Sequence, residues 1–359
     1  MEMKKRWLQF DAIRIVATIQ VILLHVTTYI MVCYPNTKET AFLCANILNG
    51  FCRAGTPMFL MLSGALLLDE DKPLNARTFY GRYLRSICLL LIFWLFFYAT
   101  WRSFLLPSLR KARPDKELFF DYILTLRGFY PHLWYLFMLV GTYLSIPVLR
   151  LFVKRENKSY ILGIIILAMV SQFSARTLGI LTRTSTVTVS GFISKFHVEY
   201  VSGYLPFLLI GWYLTNCLIK KRARIILYLA GIISVITIIL AVQFLIEEIP
   251  GIRDYVAEMN TLPAVIYGAS LFTAINFCIG KRETNCMLIK EISKASFGVY
   301  VVHVAFLDLF TTVIFPYRLW PNANPIVYIV LIFGLTYCSS LGTVLLLSRI
   351  PVLRKLFHY

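Results

Sequence analysis

Ten stretches of about 20 mostly apolar residues divide the chain, and no polar interval between them exceeds about 30 residues. A helix needs about 20 such residues to cross the hydrocarbon core of a bilayer. The expected spans are residues 13–32, 43–68, 84–105, 132–152, 159–175, 198–217, 225–246, 261–280, 292–314 and 324–347. The second is long enough to be tilted, or broken at Gly55 and Pro57, and the fifth is short. Composition agrees: 58% hydrophobic and 15% charged residues with a mean hydropathy of +0.72 lie outside the range of soluble domains. The polar intervals are too short to bury a core of their own. The fold expected is all-α, a polytopic membrane helical bundle of about ten transmembrane helices. One integral-membrane domain is expected over residues 1–359, with no appended soluble domain.

The N-terminal sequence MEMKKRW followed by an apolar run imitates a signal peptide, but Asp11 and Arg14 interrupt the run and no small-residue cleavage site follows. It is read as the first transmembrane helix. The net charge of +18 would suggest nucleic acid in a soluble protein. Here the basic residues sit in short clusters between apolar runs, the pattern that orients helices in a bilayer, and no nucleic-acid partner is expected. With a cytoplasmic N-terminus, 23 of the 36 Lys and Arg fall in the inner clusters, which puts both termini inside. The exception is the loop from 106 to 131, with Arg110, Lys111, Arg113 and Lys116, either merely solvated or attractive to an anionic glycan or lipid headgroup. The eight cysteines are scattered with no metal-like spacing, and no metal site is expected.

Within the first span, RIVATIQVILLH places Arg14 and His25 eleven residues apart on nearly one helix face, separated by about 16 Å. Arg14 falls near the cytoplasmic boundary, whereas His25 lies past mid-span, where ionisable groups usually face a bundle interior or a wet cavity. Asp11, three residues before Arg14, can pair with it along the helix. His303 in the ninth span and Arg53 in the second fall at a similar depth. Two imidazoles and a guanidinium suit proton removal from a hydroxyl and stabilisation of an oxyanion. The alternative is structural: a hydrogen-bonded neutral His25, a packed His303, and Arg53 paired with Glu199 or Asp308.

Four segments carry a family resemblance. FDAIRIVATIQVILLHV resembles the Arg-x10-His signature that opens acyltransferase family 3, the integral-membrane O-acyltransferases of bacteria. RAGTPMFLMLSGALLL, HLWYLFMLVGTYLSIPVL and SKASFGVYVVHVAF resemble three further motifs of that family, in the same order over roughly residues 8 to 310. Leu60 stands where the second motif commonly has Phe.

The resemblance implies transfer of an acetyl or other short acyl group from cytoplasmic acyl-CoA to a hydroxyl of a cell-surface, lipid-linked or exopolysaccharide glycan, in the bacterial inner membrane. Acetyl-CoA is then a donor substrate and no cofactor is permanently bound. His25 matches the family's catalytic histidine, as general base or as acyl carrier, and Arg14 matches its signature partner. Arg14, with Asp11 beside it, is expected to hold the donor's phosphate or pantetheine. Arg53 and His303 match other motif positions and are grouped with the catalytic set. His132, Trp134 and Tyr135 match a third motif; with Glu199 they either line an acceptor site or belong to the interfacial belt. Intramembrane polar residues also mark translocation paths, so a membrane transporter or exporter of a glycan or small solute is the competing reading.

Overall fold

The computed structural model describes residues 6–125, 130–181, 203–245, 261–317 and 323–357. The fold is all-α. Its helices are α1 (Leu8–Cys33), α2 (Thr40–Phe51), α3 (Gly55–Leu67), α4 (Ala76–Leu109), α5 (Lys116–Thr125), α6 (Pro131–Phe152) and α7 (Lys158–Leu181). They continue with α8 (Leu205–Asn216), α9 (Lys221–Leu245), α10 (Leu262–Ile279), α11 (Met287–Ile314), α12 (Pro325–Leu347) and α13 (Pro351–Phe357). Taking α2 and α3 together, eight helical stretches among the described residues are long and apolar enough to cross a bilayer. The chain is therefore a polytopic, multi-pass membrane protein. The fifth expected span corresponds to α7, and α8 covers the described part of the sixth.

Helix ends follow local chemistry. Asn75 starts α4 well before residue 84, its side-chain oxygen accepting from the Thr78 N–H at 3.1 Å. Asn324 does the same for α12, accepting from the N–H groups of Ile326 and Val327 ahead of Pro325, whose fixed φ suits the first helical turn. Gly280 ends α10 with φ of 64°, a conformation that costs a residue without Cβ little.

The chain divides into two compact units, Met1–Lys72 with Val148–Ser293, and Pro73–Pro147 with Lys294–Tyr359. In the first unit α1, α2, α3, α8, α9 and α10 pack on one another. The closest approach is reciprocal: a Cβ on Gly64 of α3 would fall on the Leu208 backbone of α8, and one on Gly211 of α8 would fall on the Met61 backbone of α3. Small residues at a helix crossing let backbones meet where burial from water gives membrane helices little drive to associate. Helix α9 shows the complementary design. Gly231, Ser234, Val235, Ile238, Ala241 and Val242 face inward, while Ile225, Ile226, Leu229, Ile232, Ile233 and Ile236 are exposed and suited to lipid.

The break expected at Gly55 and Pro57 falls just before them, at Cys52–Ala54 between α2 and α3. Pro57 has no N–H to continue the helix ladder, and the carbonyls upstream need other donors. Phe51 receives two, from the Gln20 side chain at 3.1 Å and the Tyr267 hydroxyl at 2.9 Å. That break aims the C-terminal end of α2, with Asn49 and Arg53, at α1.

In the second unit α4 widens to π geometry at Tyr80–Leu84 and again at Trp101–Leu105. Such widenings are frequent at functional sites. The Tyr98 hydroxyl on α4 donates to the Val301 carbonyl of α11 at 2.6 Å and ties the two helices together.

Candidate active site

The residues singled out in the sequence fall into three clusters, two in the first unit and one in the second. The first surrounds His25, which is half-buried on α1. Asn49, only 2% exposed, donates from Nδ2 to the Thr27 hydroxyl at 2.9 Å, the Thr28 hydroxyl at 3.1 Å and the Leu24 carbonyl at 3.3 Å. These acceptors flank His25 on both sides in sequence. The Oδ1 of Asn49 accepts from Arg53 Nη2 at 2.5 Å. Arg53 thus lies within electrostatic reach of His25. A guanidinium beside an imidazole can stabilise negative charge on an oxygen from which that imidazole has removed a proton.

The second cluster centres on Asp11, which is fully buried. Arg6 Nε donates to Oδ1 at 2.9 Å and Oδ2 at 2.8 Å, and its Nη2 to Oδ1 at 2.7 Å. The Thr284 hydroxyl donates to Oδ2 at 2.7 Å, the Ser293 hydroxyl to Oδ1 at 2.6 Å and Arg14 Nη1 to Oδ1 at 3.2 Å. Backbone pairing adds to the clamp, since Leu8 N–H donates to the Arg282 carbonyl at 2.8 Å and Thr284 N–H to the Arg6 carbonyl at 2.9 Å. The Asp11–Arg14 pair expected from the three-residue spacing is present. A carboxylate has about four acceptor sites, and Asp11 spends them within the protein.

The third cluster lies in the second unit. His132 and His303 are both buried, their rings in edge contact at 5.7 Å between centroids. His303 Nδ1 lies 2.5 Å from the Tyr300 carbonyl, an acceptor only, so the proton sits on Nδ1 and Nε2 is the basic nitrogen of the neutral ring. The Tyr300 hydroxyl donates to the His132 carbonyl at 2.5 Å, and Tyr135 packs against the Tyr300 ring at 5.2 Å. Trp134 is half-buried with its ring edge-on to Tyr135. Next to His132, the Tyr130 hydroxyl donates to Asp308 Oδ2 at 2.6 Å, where Trp101 Nε1 also donates at 3.4 Å. Burial and the neighbouring Asp308 hold the Tyr130 phenol well above its usual pKa, so it acts as a donor.

The structure therefore brings His25 together with Arg53, Arg14 with Asp11, and His132 with His303, Tyr135 and Trp134. Glu199, with Tyr200, His197 and His358, lies outside the described residues. Among the described residues no group of three or more His, Cys, Asp and Glu side chains converges to hold a metal. Sequence reasoning missed Asn49, Arg6, Thr284, Ser293, Tyr130 and Tyr300. The one available signal was Asn49, four residues before Arg53 and so on the same side of a helix end.

A multi-pass helical protein that buries Asp11, His132 and His303 and half-buries Arg14, His25 and Arg53 along its apolar helices holds ionisable groups of the kind that usually mark a function in membrane proteins. The acyltransferase domain family matches residues 7–345, nearly the whole chain. The protein belongs to that family, acyltransferase family 3, and is a membrane acyltransferase. No curated protein and no solved structure matches the chain.

Proposed function

We propose that this acyltransferase moves an acetyl or other short acyl group from cytoplasmic acyl-CoA to a hydroxyl of a cell-surface, lipid-linked or exopolysaccharide glycan. Its setting is the bacterial inner membrane, with both termini cytoplasmic. The observation that carries the reading is the Asn49 bridge, which holds Arg53 beside His25 while Arg14 sits three turns away on the same helix. An extended thioester donor fits that offset of about 16 Å, with its phosphates at Arg14 and its acyl end toward His25.

His25 takes the proton of the acceptor hydroxyl as the oxygen attacks the thioester carbonyl, and Arg53 stabilises the oxyanion of the tetrahedral intermediate. Collapse breaks the carbon–sulfur bond, and the imidazolium returns the proton to the departing thiolate. His303, with Nε2 as the basic nitrogen of its neutral ring, is a further candidate acid/base group within the second unit. For the acceptor, we assign His132, Trp134, Tyr135 and Glu199 as sugar-contacting residues; the half-buried Trp134 ring, edge-on to Tyr135, supports the assignment.

The test is thiol release from acetyl-CoA by protein in nanodiscs, with and without a crude glycan extract. Wild type is expected to release thiol and to accelerate with extract, and His25→Ala to lose at least about 100-fold in rate while remaining folded. Near-normal turnover in His25→Ala would remove the general-base assignment. Absence of both release and donor binding in wild type would favour the transporter reading.

A further inference from the structure

Arg102 on α4 is exposed, yet its guanidinium is held by two rings. The guanidinium carbon lies 5.4 Å from the centroid of the Tyr122 ring on α5 and 5.8 Å from that of Tyr130, within the range at which an aromatic face attracts a cation. Both tyrosines are buried, and the Tyr130 hydroxyl is fixed in turn by its bond to Asp308. The guanidinium therefore has a defined place. Among the described residues it donates no hydrogen bond and pairs with no carboxylate, so its N–H groups stay available. Asp308, the acid of this cluster, spends Oδ2 on Tyr130 and Trp101.

The chain around Arg102 is polar and folded back. Asp115 N–H donates to the Ser103 carbonyl at 2.9 Å and Ala112 N–H to the Pro107 carbonyl at 2.8 Å, which returns the loop after α4 to the level of Arg102. Residues 102–125 carry Arg102, Arg110, Lys111, Arg113 and Lys116 against Asp115, Glu117 and Asp121, and all eight are exposed. Two of the acids are engaged locally, Asp115 Oδ1 accepting from the Leu118 N–H at 2.9 Å and Asp121 Oδ1 from the Thr125 hydroxyl at 3.2 Å. None of the five cations is ion-paired among the described residues.

Tyr130 also joins this site to the cluster of His132. Its ring centroid lies 6.0 Å from that of His132 and 4.5 Å from that of Tyr98, all within one compact unit. Stacking engages the face of a guanidinium and leaves its edge, which matches two oxygens of a carboxylate or phosphate. We infer that Arg102 binds an oxyanion, carboxylate or phosphate, carried by the acceptor glycan, so that the acceptor is acidic. The inference rests on the glycan-acceptor reading given above. The Tyr130 link favours a glycan over a lipid headgroup, because it sets the cation beside residues assigned to the sugar, whereas a headgroup needs only the diffuse charge of the loop.

The experiment measures binding by fluorescence anisotropy to the full chain in nanodiscs of neutral phosphatidylcholine. The labelled probes are an oligogalacturonate, a glycerol phosphate oligomer and a neutral malto-oligosaccharide. Wild type is expected to bind at least one anionic probe about tenfold or more tighter than the neutral one, and the preferred probe identifies carboxylate or phosphate. Arg102→Gln should abolish that preference. Arg102→Lys, which keeps the charge and loses the planar fork, should fall in between, and Arg113→Gln should stay within about twofold of wild type. Unchanged anionic binding in Arg102→Gln, or an equal loss in Arg113→Gln, would overturn the inference in favour of diffuse surface charge. Phosphatidylglycerol retained in native mass spectrometry by wild type but not by Arg102→Gln, with no preference among the oligosaccharides, would assign the site to a headgroup and overturn the glycan reading. Thiol release from acetyl-CoA supplies the second arm, with the glycan extract split by anion exchange into acidic and neutral fractions. Arg102→Gln should raise half-saturation by the acidic fraction at least about tenfold and leave that by acetyl-CoA unchanged. Release promoted equally by the neutral fraction in both proteins would overturn the inference and leave the transferase reading intact. Anionic binding that depends on Arg102, in a wild type that releases no thiol with either fraction, would keep the oxyanion site but remove its acceptor role together with the transferase reading.

Discussion

Replacing Asn49 with alanine tests the link between packing and chemistry most directly. The side chain makes three donor contacts to α1 and accepts one from Arg53, at 2.9, 3.1, 3.3 and 2.5 Å. In soluble proteins neutral hydrogen bonds are each worth about 1 kcal/mol and one to a charged group about 1.5–3. Between membrane helices the measured average is nearer about 0.6 kcal/mol, because the unfolded-in-membrane reference also finds partners. The membrane figure governs the three α1 contacts, and the charged contact brings the expected loss to about 3–5 kcal/mol. That is destabilising without preventing assembly of a protein this size. The effect on rate is separate and larger. Removing Asn49 takes away the hydrogen bond that joins the Arg53 fork to α1 beside His25, and loss of a positioned oxyanion donor costs about 100- to 1000-fold in turnover. Denaturant unfolding in detergent measures the first effect, and thiol release from acetyl-CoA the second. Arg53→Ala in the Asn49→Ala background should then cost little more, since the two act as one unit. Full additivity of the two rate losses, or an unchanged rate in Asn49→Ala, would refute the bridge as the device that aims Arg53.

Other consequences follow from the same geometry. Gly211→Ala places a methyl on the Met61 backbone and should destabilise the α3–α8 crossing by about 1–3 kcal/mol or more, seen as a lower unfolding midpoint in detergent; an unshifted midpoint would mean the helices part freely. Tyr130→Phe removes the 2.6 Å donor to Asp308 and should lower the stability of the second unit by about 1.5–3 kcal/mol, whereas Tyr122→Phe, which keeps the ring that lies against the Arg102 guanidinium, should change it little. On the exposed segment after α3, the Arg155 hydrogen bond holds the Asp71 carboxyl below the usual carboxylate range. Its stabilising contribution is therefore present above the unfolded carboxylate pKa of about 3.9 and is lost as pH falls through the lower folded value. Wild type and Asp71→Asn should then differ by a constant amount between about pH 5 and 8 and converge only below about pH 4; convergence near neutrality would contradict the pairing.

Much of the fold could be read from the chain because a bilayer leaves few solutions for apolar runs of this length. The Asp11–Arg14 pair was legible for a related reason: helix periodicity alone brings positions three apart together, and no tertiary knowledge is required. The break in the second span was legible too, since Pro57 cannot donate to the ladder wherever the chain goes next. What sequence could not supply are partners joined only by tertiary contact. Thr284 and Ser293 lie more than 270 residues from Asp11, and Tyr130 lies 178 residues from Asp308. Thr, Ser and Tyr are also common interfacial or packing residues, so their presence carries no signal until a buried acceptor stands opposite. Asn49 shows the same limit. Its spacing from Arg53 is local, but its three acceptors on α1 become visible only once the break between α2 and α3 has set the angle of approach. The histidine proposed as general base is thus marked in the sequence by depth and motif, whereas the groups that give it a defined setting are ordinary polar residues. Their importance follows from position, and a residue scan restricted to His, Arg and acidic side chains would pass over the residue that joins Arg53 to α1.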